Sequence, residues 1–148
     1  MSVTCRQSAL RFLKIRPRSV GELKIKLQNK NFEAKEIKET LAWLENSNLL
    51  NDRAFTKSWI QYRLARPFGF RRIIAELKAK DVADEIIEAA VEEAKNEYSQ
   101  EQVVRDLAKR RWERLGSVEP QKKKKRIYDF LLRRGFAINE VMKVLNKL

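Results

Sequence analysis

An internal repeat of apolar residues constrains this 148-residue chain more than any other feature. The chain has three prolines, and each stands six or seven residues before an apolar residue that serves as an anchor. The prolines are Pro17, Pro67 and Pro120, and the anchors are Leu23, Ile73 and Ile127. The anchors lie 50 and then 54 residues apart. Because a repeat of this length indicates tandem structural units, it governs how every local pattern is interpreted.

Apolar residues recur at fixed distances from each anchor, namely four, nine, fourteen and eighteen residues later. They are Leu27, Phe32, Ile37 and Leu41, then Leu77, Val82, Ile87 and Val91, then Leu131, Phe136, Val141 and Leu145. A cation stands two residues before each Phe or Val, at Lys30, Lys80 and Arg134. The steps of four residues are typical of helices, and the step of five predicts a tight turn between two helices.

The turn residues differ among the three copies. Gly135 suits a left-handed helix C-cap, Asn31 is the next-best residue for that position, and Asp81 is less favourable. The geometry of the turns at Asn31 and Asp81 is therefore open.

A further apolar-periodic stretch precedes each proline, which makes three helices per repeat. The predicted helices span 5–16, 19–30 and 33–47, then 53–66, 69–80 and 83–97, then 100–115, 121–134 and 137–148. Ser19 with Glu22 and Ser99 with Gln102 have the spacing of capping boxes, and Asp52 is expected to cap the fourth helix.

The sequence thus predicts an all-α fold of three tandem three-helix repeats, covering residues 1–50, 51–98 and 99–148. Repeats that contact mainly their neighbours stack into an elongated, curved, solenoid-like body, with either handedness open. The alternative is a single irregular helical bundle in which Leu-rich windows align by accident.

Charge is the second informative property. The chain has 33 Lys and Arg against 20 Asp and Glu, a formal net charge of +13. The excess lies at the two ends, because residues 1–50 carry +5, residues 51–100 carry 0 and residues 101–148 carry +8. This charge predicts attraction to nucleic acid, an acidic membrane surface or an acidic protein.

The residue inventory argues against catalysis and metal binding. The chain has no histidine, and Cys5 is its one cysteine, so the usual zinc ligand sets and an internal disulfide are excluded. It shows no phosphate-binding Gly-rich loop and no nucleophile elbow. No signal peptide or membrane-spanning stretch is evident, and we expect a cytoplasmic protein without a cofactor.

Four stretches carry a resemblance to a known family. They are RPRSVGELKIKLQNKNF, LENSNLLNDRAFTKSWIQYRL, GFRRIIAELKAKDVADEIIEAAVEEA and FLLRRGFAINEVMKVL. The most specific part is LLNDxxF at 49–55, followed after thirteen residues by GxRRI at 69–73. Over nearly its full length the chain resembles the RecX family of RecA modulators. It departs from the family at Asn31 and Asp81, where glycine is usual.

This resemblance implies three tandem three-helix repeats, no catalytic activity and binding within the helical groove of a RecA filament on single-stranded DNA. The expected consequence is inhibition of RecA ATP hydrolysis, strand exchange and co-protease activity, in recombination, DNA repair and the SOS response. We expect a monomer that does not bind membranes. Direct contact with DNA stays open.

A helical projection from each anchor locates the basic faces. Opposite the core, the first repeat shows Glu22, Ile25 and Gln28, whereas the second and third repeats show cations. The residues expected to contact the filament are Arg71, Arg72, Lys78, Lys80, Lys122, Lys125, Arg126 and Arg133. The run of cations at 122–126 opposes the dipole of its own helix, so an anionic partner explains it better than stability does.

Three alternatives remain. Charged helix faces are usually only solvated, and a three-helix unit can also bind duplex DNA directly as a helix-turn-helix or meet an acidic protein as an adaptor. Trp43 and Trp59 are expected to pack in or between repeats, whereas Trp112 either packs or stacks on a nucleic acid base.

Overall fold

The computed structural model describes residues 2–66 and 68–148, so Pro67 of the repeat register lies outside the described residues. Within them the chain forms nine α-helices and no strand. The helices are α1 (Cys5–Ile15), α2 (Val20–Asn29), α3 (Ala34–Asn46), α4 (Asp52–Ala65), α5 (Phe70–Ala79), α6 (Asp84–Glu97), α7 (Gln100–Arg114), α8 (Pro120–Arg133) and α9 (Ile138–Leu145). Every predicted helix is present, and most ends differ from the prediction by a single residue.

The apolar positions that recur in the sequence are the positions that the fold buries. Leu23, Ile73 and Ile127 are completely buried. The residues four, fourteen and eighteen positions after each anchor are also buried, and at nine positions Phe32 alone is half-buried. Because the same offsets are buried three times, the all-α fold of tandem three-helix repeats is confirmed.

The three turns have the same geometry despite their different residues. Asn31, Asp81 and Gly135 all have positive φ, at 64°, 60° and 90°. In each turn the amide of the following apolar residue donates to the carbonyl five residues earlier, at Leu27, Leu77 and Leu131. This is the hydrogen bond of a Schellman motif. Asn31 and Asp81 in place of glycine therefore add strain to the turn without changing its hydrogen bond.

The two predicted capping boxes form to different degrees. Ser19 Oγ accepts from the Glu22 N–H at 3.1 Å, and the Glu22 carboxylate accepts from the Ser19 N–H at 3.2 Å. Ser99 Oγ accepts from the Gln102 N–H at 3.4 Å, but the Gln102 side chain donates to Asp106. The second box is therefore only half formed.

The prediction that Asp52 caps α4 is wrong. Asn51 Oδ1 accepts from the N–H groups of Arg53 and Ala54 at 2.9 and 3.1 Å and so caps this helix. The Asp52 carboxylate accepts from the Val20 N–H at 2.8 Å and supports the first turn of α2. An acidic side chain there also complements the positive end of the α2 dipole.

The chain divides into two compact units. The first unit holds Met1–Trp59 with Leu77–Glu88, and the second holds Ile60–Glu76 with Ala89–Leu148. In the first, α1, α2 and α3 pack on one another, and in the second α7, α8 and α9 do so. The repeat boundaries at residues 50 and 98 stay a prediction. None of the helices in the described part of the chain is long and apolar enough to span a membrane.

Candidate functional site

Each compact unit contains a joint, where the start of a middle helix meets the turn of the following repeat. The first joint consists of residues 19–22 and 80–81, and the second joint consists of residues 68–72 and 134–136. In the repeat register Glu22 corresponds to Arg72, because both stand immediately before an anchor. Lys80 likewise corresponds to Arg134.

The first joint is closed by an ion pair. Ser19 Oγ donates to the Lys80 carbonyl at 2.6 Å, which ties α2 to the turn. The Lys80 ammonium lies 3.2 Å from a Glu22 carboxylate oxygen and 4.4 Å from the centre of the Trp59 ring. Arg16 adds a second ion pair to Glu22 at 2.6 Å. The charge of Lys80 is therefore matched by a carboxylate within the fold.

The carboxylates of the first joint have shifted pKa values. Burial would raise the pKa of Glu22, but hydrogen bonds from Arg16, the Ser19 N–H and Lys80 outweigh burial and hold this pKa at about 2. Burial raises the pKa of Asp52, and the nearby charges of Asp81 and Glu22 raise it further against the hydrogen bond from Val20. The surroundings therefore favour the ionised form of Glu22 and disfavour the ionised form of Asp52.

In the second joint the equivalent carbonyl accepts from backbone N–H groups instead of a serine hydroxyl. The Gly69 N–H donates to the Arg134 carbonyl at 2.7 Å, and the Arg71 N–H donates to the Gly135 carbonyl at 3.2 Å. Gly135 lies so close to Arg72 that a Cβ atom on Gly135 would overlap the Arg72 backbone and Cβ. Where the first joint has Glu22, the second joint has a cation.

Guanidinium groups and phenylalanine rings alternate in the second unit. The Arg134 guanidinium lies 4.8 Å from the centre of the Phe68 ring and 5.1 Å from that of Phe130. Arg72 lies 4.5 Å from Phe68, and Arg111 lies 3.7 Å from Phe130. We call these five residues the arginine ladder. Ring faces of this kind stabilise a guanidinium without neutralising its charge.

The charge of the arginine ladder is poorly compensated. Burial lowers the pKa of Arg134, and the like charges of Arg111 and Arg72 lower it further. Among the residues described, no Asp or Glu forms an ion pair with Arg111 or Arg134. Arg72 lies 3.9 Å from Glu76, which also binds Arg63 bidentately. The second joint therefore gathers positive charge that the fold does not offset.

Two open clefts adjoin the arginine ladder. One, of about 340 Å³, is lined by Arg111, Arg126 and Arg133 together with the carboxylate of Asp129. The other, of about 160 Å³, is lined by Arg110, Arg111, Arg114 and Arg134. The arginine side chains outnumber the single acid in these clefts, so an anion entering either one meets mainly positive charge.

The structure locates the eight predicted contact residues in different environments. In the second unit Arg71, Arg72, Lys122, Lys125, Arg126 and Arg133 are exposed. Lys78 is exposed in the first unit. Lys80 is different, because its side chain is only 19% exposed and is paired with Glu22. Their contacts with a partner stay a prediction.

The sequence prediction did not include Arg111 and Arg134. Arg134 is the recurrent cation of the third repeat, and Arg111 belongs to the KRRWER run, so both were visible as charges. Their proximity follows from the packing of α7 against α8, which the helical projection of a single helix does not contain.

All three tryptophans pack against neighbouring side chains. Trp59 stacks on Phe55 with ring centres 6.1 Å apart, and Trp43 packs against the first core with Arg6 4.4 Å from its ring. Trp112 packs against the second core, and the Lys123 ammonium lies 4.6 Å from its ring. This packing favours a structural role for Trp112 over base stacking.

Fold and surface together define a helical-repeat protein whose arginine-rich joint is suited to an anionic partner. Sequence profiles described as the first, second and third three-helix domains of RecX match residues 5–44, 51–91 and 99–145. Since the profiles cover most of the chain in their own order, the chain belongs to the RecX family of regulatory proteins.

Individual relatives agree with this assignment. The regulatory protein RecX of Chlorobaculum tepidum is 36% identical over 93% of this chain and 85% of its own length. That of Amycolatopsis mediterranei is 33% identical over 84% of this chain and 71% of its own.

Two solved structures show the same fold. The crystal structure of RecX from Lactobacillus salivarius has a TM-score of 0.83 at 23% identity, over 97% of this chain and 94% of that one. A second crystal structure, of a regulatory protein RecX, has a TM-score of 0.81 at 17% identity, over 96% of this chain and 70% of that one.

Proposed function

We propose that this chain is a non-enzymatic regulator that binds the RecA filament on single-stranded DNA. Binding lowers ATP hydrolysis, strand exchange and co-protease activity in recombination, repair and the SOS response. The observation that carries the proposal is the match of all three RecX domains, in order, along one chain. The protein acts in the cytoplasm as a monomer.

The surface chemistry supports an anionic filament as the partner. Seven of the eight proposed contact residues are exposed cations, so they can reach acidic side chains or phosphates without unfolding the repeat. Lys80 must release Glu22 before it can contact a partner. We therefore rank Lys80 as the weakest contributor among the eight.

The test is to titrate the protein into RecA on single-stranded DNA while following ATP hydrolysis. We expect hydrolysis to fall in a saturable way. Unchanged hydrolysis at saturating protein would contradict the proposal. The double variant Arg71→Glu, Arg72→Glu should inhibit less than wild type. Its matched control is Lys24→Glu, Arg53→Glu, which reverses two exposed charges in the first unit.

Direct binding of duplex DNA without RecA is the second candidate, and the arginine clustering in the second unit favours it. Binding to bare DNA should therefore be measured in the same salt series. Strong and sequence-selective binding to duplex DNA would support this candidate over filament binding. Weak, sequence-independent binding that falls steeply with salt would agree with the filament proposal.

A further inference from the structure

The two joints carry charges of opposite sign at one pair of equivalent positions, Glu22 and Arg72. Glu22 and Lys80 form an ion pair in the first joint. In the second joint the equivalent residues are Arg72 and Arg134, whose charges have the same sign. The second joint has no carboxylate at the position of Glu22, so its positive charge is available to a negative partner.

Two arginines of the ladder, Arg111 and Arg134, leave their side-chain hydrogen-bond donors available. A guanidinium that stacks on an aromatic ring still directs its N–H groups outward in its own plane. Within the described residues, the side chains of Arg111 and Arg134 form no hydrogen bond. Their donors are therefore free, oriented by the rings and partly removed from water, which strengthens a bond to an anion.

We propose that Arg111 and Arg134, together with Arg72, form a phosphate-binding site for the backbone of a single-stranded nucleic acid. The adjoining cleft with Arg126 and Arg133 receives neighbouring phosphates of the same strand. This inference rests on the proposed function and deepens it, because it names the chemical group that the second joint recognises. It also adds Arg111 and Arg134 to the contact residues.

The arrangement favours a phosphate backbone over bases and over an acidic protein segment. Phe68 and Phe130 are already stacked with guanidinium groups, which limits base stacking on these rings. An isolated carboxylate forms a bidentate pair with one guanidinium, whereas here several unpaired guanidinium groups adjoin two clefts. A nucleic acid strand, with one negative charge per nucleotide, can pair with several of these guanidinium groups at once, which an isolated carboxylate cannot do.

The test uses the full chain and a fluorescein-labelled oligothymidylate, without RecA. Fluorescence anisotropy across a salt series gives the affinity and its salt dependence. For Arg134→Gln and for Arg111→Gln we expect the affinity to fall about tenfold, as for a lost charged hydrogen bond. The slope of log affinity against log salt should shrink by about 0.7 for each lost phosphate contact.

The matched control is Arg53→Gln, which removes one exposed charge from the first unit and should change the affinity less than about twofold, as expected for a surface charge outside the site. Thermal unfolding followed by circular dichroism shows whether each variant is folded. Arg134→Gln removes a partly desolvated cation, so we expect it to fold as wild type does.

A second variant separates binding from folding. Arg72→Glu recreates the acid–base pair of the first joint, because it supplies Arg134 with a carboxylate. We expect it to fold normally and to bind the oligothymidylate at least tenfold more weakly, since the new carboxylate both occupies Arg134 and repels phosphate. A folded Arg72→Glu variant that binds as tightly as wild type would overturn the proposal.

The outcomes distinguish this inference from the proposed function. If the Arg111 and Arg134 variants bind the oligothymidylate as wild type does but no longer inhibit RecA, the ladder binds an acidic protein surface and the phosphate assignment is wrong. If they lose oligothymidylate binding while wild-type protein leaves RecA hydrolysis unchanged, the phosphate site stands and the filament proposal fails.

Discussion

The two joints use the same turn carbonyl as an acceptor and differ in their electrostatics. In both, the start of a middle helix hydrogen-bonds to the carbonyl of the cation that precedes the turn, at 2.6 Å in the first joint and 2.7 Å in the second. In the first joint that cation is neutralised by Glu22. In the second joint it is held between two phenylalanine rings, near other arginines.

This difference shows how tandem repeats can divide their tasks. The first joint contributes stability, because its charges are paired and partly buried. The second joint holds its position by backbone hydrogen bonds and ring stacking, which leaves its charges available. The acid-to-base difference at Glu22 and Arg72, together with the phenylalanine rings and Arg111, makes the second joint a candidate binding site.

The largest expected effect concerns the glycine of the second joint. Gly135→Ala adds a Cβ that overlaps Arg72, at a residue whose φ is 90°. Backbone strain and overlap together should lower the free energy of unfolding by about 3 kcal/mol or more. Denaturant unfolding measures this change.

Gly116→Ala is the matched control, because Gly116 also has positive φ, at 56°, but no atom lies within 4 Å of its added Cβ. It should lose only the strain contribution of about 1–2 kcal/mol. Equal losses at Gly116 and Gly135 would show that close packing of the second joint contributes nothing to stability.

The next effect comes from giving the first joint the charge pattern of the second. Glu22→Arg removes the carboxylate that pairs with Arg16 and Lys80 and gathers three cations there. We expect a loss of about 2–3 kcal/mol, because partly buried charges are left without a partner. Urea unfolding of the full chain measures it.

The reciprocal change gives the second joint the acidic residue of the first. Arg72→Glu gives Arg134 a partner but adds repulsion from Glu76 one helical turn away, so its stability should stay within about 1 kcal/mol of wild type. If the two exchanges destabilise the chain equally, the joints do not differ in the way proposed.

The fold was predictable because its signal is periodic and local. Burial at the anchor positions follows from helical spacing, and the exposure of Arg71 and Arg126 follows from the same projection. The projection treated Glu22 as solvent-facing, which is wrong, because Lys80 covers it from 58 residues away. The pairing of Arg111 with Arg134 was missed for the same reason, since each helix was projected alone.

A third and smaller effect is a pH dependence that belongs to the first joint. Glu22 has a pKa of about 2 in the folded chain, below its ordinary 4.5. A depressed acid pKa stabilises the fold fully above pH 4.5, and this contribution is lost as the pH falls towards 2. After allowance for solvent screening, we expect about 1–2 kcal/mol from Glu22.

The measurement is the difference in unfolding free energy between wild type and Glu22→Gln at several pH values. This difference should be largest above pH 4.5 and should shrink as the pH approaches 2. Glu45→Gln, which alters an exposed carboxylate near the end of α3, is the control. A difference that is constant with pH would show that the Glu22 ion pairs contribute no stability.

The smallest effect concerns the turn residue of the first joint, where Asp81 occupies the position that glycine has in the second. Asp81 has a φ of 60°, and its charge adds to the effect of burial in raising the pKa of Asp52. Asp81→Gly should relieve both the backbone strain at residue 81 and the repulsion of Asp52. Because glycine also adds entropy to the unfolded chain, we expect the free energy of unfolding to rise by only about 0.5 kcal/mol.

Asn48→Gly separates the two causes, because Asn48 is exposed and has a φ of 58°. It should gain from relief of strain alone. A larger gain for Asp81→Gly at pH 7, which vanishes at a pH where Asp52 is protonated, would assign the excess to repulsion between the two carboxylates. Equal gains at every pH would mean that the first joint tolerates its acidic turn without electrostatic strain.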